Sequence, residues 1–305
     1  MNRTANPLDK PSTTTWTSAD IPDLTGRTVI VTGANSGIGL AAARMFAGHG
    51  AHVVLAVRDE AKGSAAALTI PGSEVRQLDL SDLASVRRFA DNWHGHIHAL
   101  VNNAGIMIPP LGRTKDGFEL QFGINHLGHF ALTNLLLPHI TGRIVTVASS
   151  AHASGTIDFD DLNWHHRRYG GGGASYGQSK LANLLFTLEL QRLLEASGSK
   201  VLAMAAHPGM AATNLGSHSG NTVMTVVGNL VVRLFAQDAA GGAAPTVFAA
   251  TANLPGASYA GPRNRRGMAG PPVLVDRSDA ASDTAGARRL WAASEELTGV
   301  RFPAT

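Results

Sequence analysis

Residues 27 to 50 read RTVIVTGANSGIGLAAARMFAGHG. The first part, ending at Thr32, is a run of mostly β-branched apolar residues with no alternation, and so reads as a strand buried on both faces. IGLAAARMFAGHG reads as a helix closed by Gly50. The two meet at TGANSGIG, Thr32 to Gly39, with glycines at 33, 37 and 39. A glycine turn between a buried strand and a helix allows a tight reversal. It also lets a pyrophosphate approach the backbone at the positive helix end. Ordinary turns use glycine too, and it is the strand-to-helix position that gives this loop weight. Its spacing, three residues between the first two glycines, departs from the GxGxxG of the larger dinucleotide folds.

Outward from this loop the same alternation repeats. AHVVLAVRD, IHALVNNAG, GRIVTVASS and VLAMAAHPG read as buried strands. SVRRFADNWHG, FELQFGINHLGHFALTNLLLPHI and ASYGQSKLANLLF read as the helices between them. Short β-branched runs alternating with helices imply crossover units. The fold class is therefore α/β, a single-domain Rossmann-type doubly wound parallel sheet with helices on both faces. Residues 1–24 are polar, contain proline and lack a period, so a flexible N-terminal arm is expected there, followed by one domain over 25–305.

Composition narrows the function classes. The 305 residues are 44% hydrophobic with a net charge of +3, enough apolar material for one large core. No concentrated basic face is present, only HHRR at 165–168 and RNRR at 263–266, so nucleic acid is not an expected partner. Absence of cysteine excludes disulfides, thiolate metal sites and cysteine nucleophiles. His94, His96 and His98 in HGHIH have no carboxylate at ligand spacing, and no metal is expected. The apolar run VMTVVGNLVVRLFA from Val223 is too short and interrupted to span a bilayer, and the N-terminus lacks a signal-peptide core. A cytoplasmic protein without an integral membrane segment is the expectation.

The second strand ends with Val57 where an acid would bind a ribose 2′-hydroxyl, and Arg58 follows, a residue suited to a 2′-phosphate. This favours NADP(H) over NAD(H), with Asp59 leaving some ambiguity. Asp79, followed by Leu80, ends the third strand and either meets the adenine amino group or opens the next helix. Tyr176 and Lys180 stand four apart on one helix face. Alone, such a pair is most economically a solvated face.

Six motifs in order change that reading. TGANSGIG, NNAG at 102–105, Asn125 in INHLGHF, the serines at 149–150, YGQSK and HPG at 207–209 resemble the short-chain dehydrogenase/reductase family over roughly residues 26–300. NHLGHF, YGQSKLANLLF and ARRLWAASEELTG resemble its retinol dehydrogenase and protochlorophyllide reductase branch. The resemblance implies an NADP(H)-dependent oxidoreductase moving hydride between nicotinamide and a carbonyl or alcohol of a small, lipophilic or bulky substrate. A carbon–carbon double-bond reductase and a catalytically silent NADP(H)-binding protein are the alternatives.

Residue by residue, it implies that Tyr176 is the general acid, tuned toward neutrality by Lys180, a shift worth roughly 4 kcal/mol for about three pH units. Ser150 would hydrogen-bond the substrate oxygen, with Ser149 a strand-end residue. Asn125 would hold a water-linked proton relay that supplies its buried amide with partners. Gly33, Asn35, Ser36, Gly37, Ile38 and Gly39 would meet the cofactor, together with Arg58, Asp79, Leu80, Asn103, Ala104, Gly105, Tyr176, Lys180, Pro208, Gly209 and Thr213. Residues 214–240 would form a substrate lid, with peripheral membrane contact left open. The glycines at 170–173 are expected to make their loop mobile. Pairing through helices 118–140 and 175–197 would give a homodimer or homotetramer.

Overall fold

The buried β-branched runs form one sheet in the computed structural model, which describes residues 15–209, 238–264 and 267–303. Its strands are β1 (Thr28–Thr32), β2 (His52–Val57), β3 (Glu74–Gln77), β4 (Ile97–Asn102), β5 (Ile140–Val147), β6 (Leu202–Ala206), β7 (Tyr259–Asn264) and β8 (Ala269–Leu274). They lie in the order β3-β2-β1-β4-β5-β6-β7-β8. Every pairing is parallel except β7 with β8. The chain leaves β1 in one direction and returns beside it as β4. A crevice opens at the carboxyl ends of strands where an order reverses in this way.

Helices cover both faces, as expected. They are α1 (Gly37–Gly48), α2 (Glu60–Ala67), α3 (Leu83–Asp91), α4 (Leu120–Phe122), α5 (Gly128–Leu136), α6 (Gly173–Ala196), α7 (Ala239–Thr251) and α8 (Thr284–Thr298). Strand side chains alternate between two cores. Ile30 of β1 packs with Phe130, Leu184 and Trp291 from α5, α6 and α8, while Val29 and Val31 pack with Ala42, Phe46 and Val247 from α1 and α7. Both faces of β1 are thus dry, which explains why its sequence lacks alternation.

The long helix expected over 118–140 is broken. Between α4 and α5 the residues Gly123–Leu127 form a π turn, in which the amide of Gly128 donates to the carbonyl of Gly123. Such bulges are frequent at functional sites. The flexible arm expected over 1–24 is corrected for residues 15–24, which dock on the domain. Trp16 packs edge-on against Phe248 at 5.5 Å, and Ile21 and Leu24 are buried. Three apolar residues in an otherwise polar stretch find core partners far along the chain. The expected lid at 214–240 lies, apart from 238–240, outside the described residues. No helix among the described residues is long and apolar enough to cross a membrane.

Candidate active site

The crevice is built on close backbone approach. Gly33 and Gly37 have φ of +66° and +54°, which favours glycine. A Cβ on Gly39 would lie 2.7 Å from the Gly33 carbonyl and collide with the Asn103 side chain. The second wall is the loop after β4. The Asn103 amide group donates to the Thr32 carbonyl at 2.8 Å, and the main-chain amides of Asn103 and Ala104 each donate to the Thr32 hydroxyl at 2.9 Å.

Together these walls bound a cleft of about 810 Å³. Of the expected cofactor contacts, Gly33, Asn35 to Gly39, Arg58, Asn103 to Gly105, Pro208, Tyr176 and Lys180 line it. Asp79 and Leu80 do not. The Asp79 carboxylate accepts from the Ser81 amide at 2.9 Å and hydroxyl at 2.6 Å, opening the turn before α3, and Leu80 is buried against Gly128. Of the two readings of Asp79, the helix-opening one matches its bonds. Gly209, at φ +67°, packs on Met268 rather than lining the cleft, and Thr213 lies outside the described residues. Arg44, Lys62, Thr69 and Ile106 line the cleft without having been singled out. Lys62 follows Arg58 by four residues at the start of α2, a spacing that could have been used. Arg44 reaches Thr69 at 2.9 Å through a contact 25 residues apart, for which the sequence offers no local signal.

At the other end α6 carries Tyr176 and, one turn on, Lys180. Lys180 is 4% exposed, and its ammonium donates to the Val147 carbonyl at 3.1 Å and stands 5.6 Å from the Tyr176 ring centre. Burial pulls Lys180 down to about 8 from an ordinary 10.5. Burial pushes the Tyr176 phenol up, and a hydrogen bond with Ser149 pulls the other way. The protein's own groups therefore keep Tyr176 protonated, and the expectation of a phenol tuned toward neutrality is not met by Lys180 alone. Desolvation of the phenolate is the larger effect.

Ser149, where the chain leaves β5, is the one whose side chain meets Tyr176. Ser150 is exposed and begins the short 3₁₀ turn Ser150–Ser154. Asn125 sits fully buried in the π turn. Its side chain accepts from the Ile106 amide at 2.8 Å and donates to the Ile106 carbonyl and the Ser179 hydroxyl, both at 3.0 Å. Its amide partners are protein groups, because the π turn aims it at the extended segment after β4. Asn125 and Lys180 converge at Gly105, where a Cβ would be 3.1 Å from the Asn125 side-chain oxygen and 3.6 Å from the ammonium.

The glycine loop before Tyr176, expected to be mobile, is tied down. The Gln121 amide donates to the Gly172 carbonyl at 2.9 Å and the Tyr169 hydroxyl at 3.0 Å, while its oxygen accepts from the Ile108 amide at 2.8 Å. Tyr169 in turn donates to the buried Glu119 carboxylate at 2.8 Å. Positive φ at Gly170 to Gly172 lets the loop reach these partners.

Comparison with known proteins agrees with this geometry. The short chain dehydrogenase family model matches residues 27–160. The chain is 42% identical to human retinol dehydrogenase 13 over 91% of this chain and 86% of the relative. It is 41% identical to polyprenol dehydrogenase of Mus musculus, over 92% and 86%. A crystal structure of an uncharacterised protein from Mycobacterium paratuberculosis superposes with a TM-score of 0.84 at 52% identity, covering 95% of this chain and all of that one. With a glycine-loop cleft leading to a half-buried tyrosine beside a buried lysine, and relatives matched along nine-tenths of its length, the chain belongs to the short-chain dehydrogenase/reductase family of nicotinamide-dependent oxidoreductases, in its retinol dehydrogenase-like branch.

Proposed function

We propose that the protein is an NADP(H)-dependent enzyme that moves hydride between the nicotinamide and the carbonyl or alcohol carbon of a bulky, apolar small molecule. The observation that carries this reading is a single cleft lined by Arg58 and Lys62 beside β2 and by Tyr176 and Lys180 on α6. Glycines that a Cβ would jam against the facing loop fit a dinucleotide lying along it. When bound, the cofactor supplies the hydride. The protein supplies orientation and the proton.

Arg58, where the chain leaves β2, would hold the 2′-phosphate, with Lys62, paired to Asp59 at 3.1 Å, beside it in α2, while Arg44 is engaged with Thr69. Tyr176 gives its proton to the substrate oxygen, a donor already in the correct state because burial keeps it protonated. Ser149 shares that oxygen and orients it, taking the role first given to Ser150. Lys180 stabilises the phenolate left behind and meets the nicotinamide ribose. Asn125 braces the wall beside Lys180 through Ile106. An apolar substrate is supported by relatives named for retinol and polyprenol, both hydrocarbon-rich alcohols.

The test is NADPH and NADH oxidation across a panel of aldehydes and ketones, with wild type and Tyr176→Phe. Turnover with NADPH that falls by about 10²-fold or more in the variant, with binding kept, supports the reading. Undiminished turnover refutes the role of Tyr176. NADPH binding without turnover in wild type would instead mark a silent binding protein.

A further inference from the structure

One side chain that this chemistry does not use touches the cleft walls from behind. His129, in the first turn of α5, is 1% exposed. Its Nδ1 is 3.1 Å from the main-chain carbonyl oxygen of Asn125, and its Nε2 is 2.9 Å from the Thr32 hydroxyl. Proton counting settles every role. A carbonyl only accepts, so Nδ1 carries the hydrogen and Nε2 is the acceptor. The Thr32 oxygen already accepts from the amides of Asn103 and Ala104, so its one hydrogen goes to Nε2 at 2.9 Å in preference to the Val101 carbonyl at 3.4 Å. A directed chain results, from the Asn103 and Ala104 amides through Thr32 and His129 to Asn125. Burial lowers His129 to about 4, the Asn125 carbonyl resists, and the charge of Lys180 lowers it further. The ring is therefore neutral at ordinary pH and keeps one tautomer.

We propose that His129, as the Nδ1–H tautomer, is a positioning residue of the hydride-transfer site. Through its two nitrogens it fixes the main-chain carbonyl of Asn125, the residue whose side chain faces Gly105 together with Lys180, and the Asn103–Ala104 amides at the wall of the cleft. The inference rests on the oxidoreductase reading and adds a second layer to it. The Asn125 arm governs turnover, because Asn125 and Lys180 meet at Gly105. The Thr32 arm governs cofactor affinity, because Thr32 stitches the two loops that line the cleft.

Two substitutions separate the arms. An asparagine amide nitrogen falls near the place of Nδ1, whereas a glutamine terminal group reaches the place of Nε2. His129→Asn keeps the donor for Asn125 and releases Thr32, so kcat should stay within about threefold while the NADPH KM rises about tenfold, the size of one lost buried hydrogen bond. His129→Gln should do the reverse, with kcat down about tenfold and KM nearly kept. Loss of kcat and KM alike in both variants, in step with a lowered melting temperature, would reduce His129 to a structural residue and overturn the proposal. Unchanged kinetics in both would overturn it equally. Nitrogen-15 NMR of the imidazoles in the free protein reads the tautomer directly. A protonated Nδ1 and bare Nε2 that persist from about pH 8 to about 5.5 support the proposal, and a protonated Nε2 refutes it. Wild type that reduces no carbonyl would sink the oxidoreductase reading and the kcat arm with it, whereas a wrong tautomer sinks this inference alone.

Discussion

Replacing Lys180 with methionine should stabilise the folded protein while ending its turnover. Lys180 is 4% exposed, and its ammonium has no carboxylate within ion-pair distance among the described residues. Burial brings it to about 8, against 10.5 in an open chain. At 1.36 kcal/mol per pH unit this gap corresponds to about 3 kcal/mol of destabilisation. Because the folded value lies below the unfolded one, the full penalty is present below about pH 8. It fades as pH rises toward 10.5, where both states are neutral. Methionine is unbranched and fills nearly the same volume. The lost hydrogen bond to Val147 costs about 1 kcal/mol, but its carbonyl is not orphaned, since Asn183 also donates to it at 3.1 Å. The net gain at pH 7 is therefore about 2 kcal/mol. Urea unfolding of both proteins at pH 7 and pH 10 reads it. The variant should be the more stable at pH 7, with the difference shrinking at pH 10. A variant less stable than wild type at pH 7, or a difference indifferent to pH, would refute the account of Lys180 as a costly buried cation.

Four further substitutions test other parts of the site. Arg58→Ala should weaken NADPH binding about 10- to 100-fold and leave NADH nearly untouched, as measured by nicotinamide fluorescence; equal losses for both would remove the 2′-phosphate role. Gly39→Ala should drive its Cβ into Gly33 and Asn103, abolishing measurable cofactor binding and lowering stability by about 1–3 kcal/mol, so near-native affinity would contradict the close approach of the two loops. Ser149→Ala should lower kcat by about 10²-fold or more, whereas Ser150→Ala should change it less than about twofold; the opposite order would restore the assignment made on sequence alone.

What the sequence showed of this protein was its local physics. Non-alternating β-branched runs report two-sided burial, and Gly33, Gly37 and Gly39 report backbone approach, so the parallel sheet and its loop were readable from Arg27 to Gly50. The edge of the sheet was not. β7 and β8 carry Pro262, Pro271 and Pro272, which argue against a strand unless it lies at an edge or a bulge, and both conditions depend on neighbours far along the chain. α7 begins AAGGAAP and holds Pro245 within it, a composition that local propensity scores as loop. Docking of Trp16 on Phe248 is likewise a contact between distant positions. Ser149 and Ser150 could not be told apart because the strand ends at Val147, and nothing local says which way the next two side chains turn. The π turn at Gly123–Leu127 has no sequence period of its own.

These misses share a cause with the chemistry. A Tyr and Lys four apart cost nothing on a solvated helix face, and there Lys180 would keep an ordinary pKa and Tyr176 an idle phenol. In the proposed mechanism the pair acts because the rest of the fold desolvates it, at a cost that the pair's own contacts do not offset. Three other buried polar side chains in this core are matched to specific partners: Glu119 to Tyr169 and two helix amides, Asn125 to Ile106 and Ser179, His126 to Ser294. Lys180 donates to the Val147 carbonyl and has no counter-charge among the described residues, and His129, at about 4, stays neutral and adds no second positive charge near it. A lone cation in a dry wall acts on the next charge to form there, which in carbonyl reduction is the phenolate of Tyr176. Stability lost at Lys180 in the resting protein is thus recovered as transition-state stabilisation, and that is why the methionine variant should be sturdier and inert.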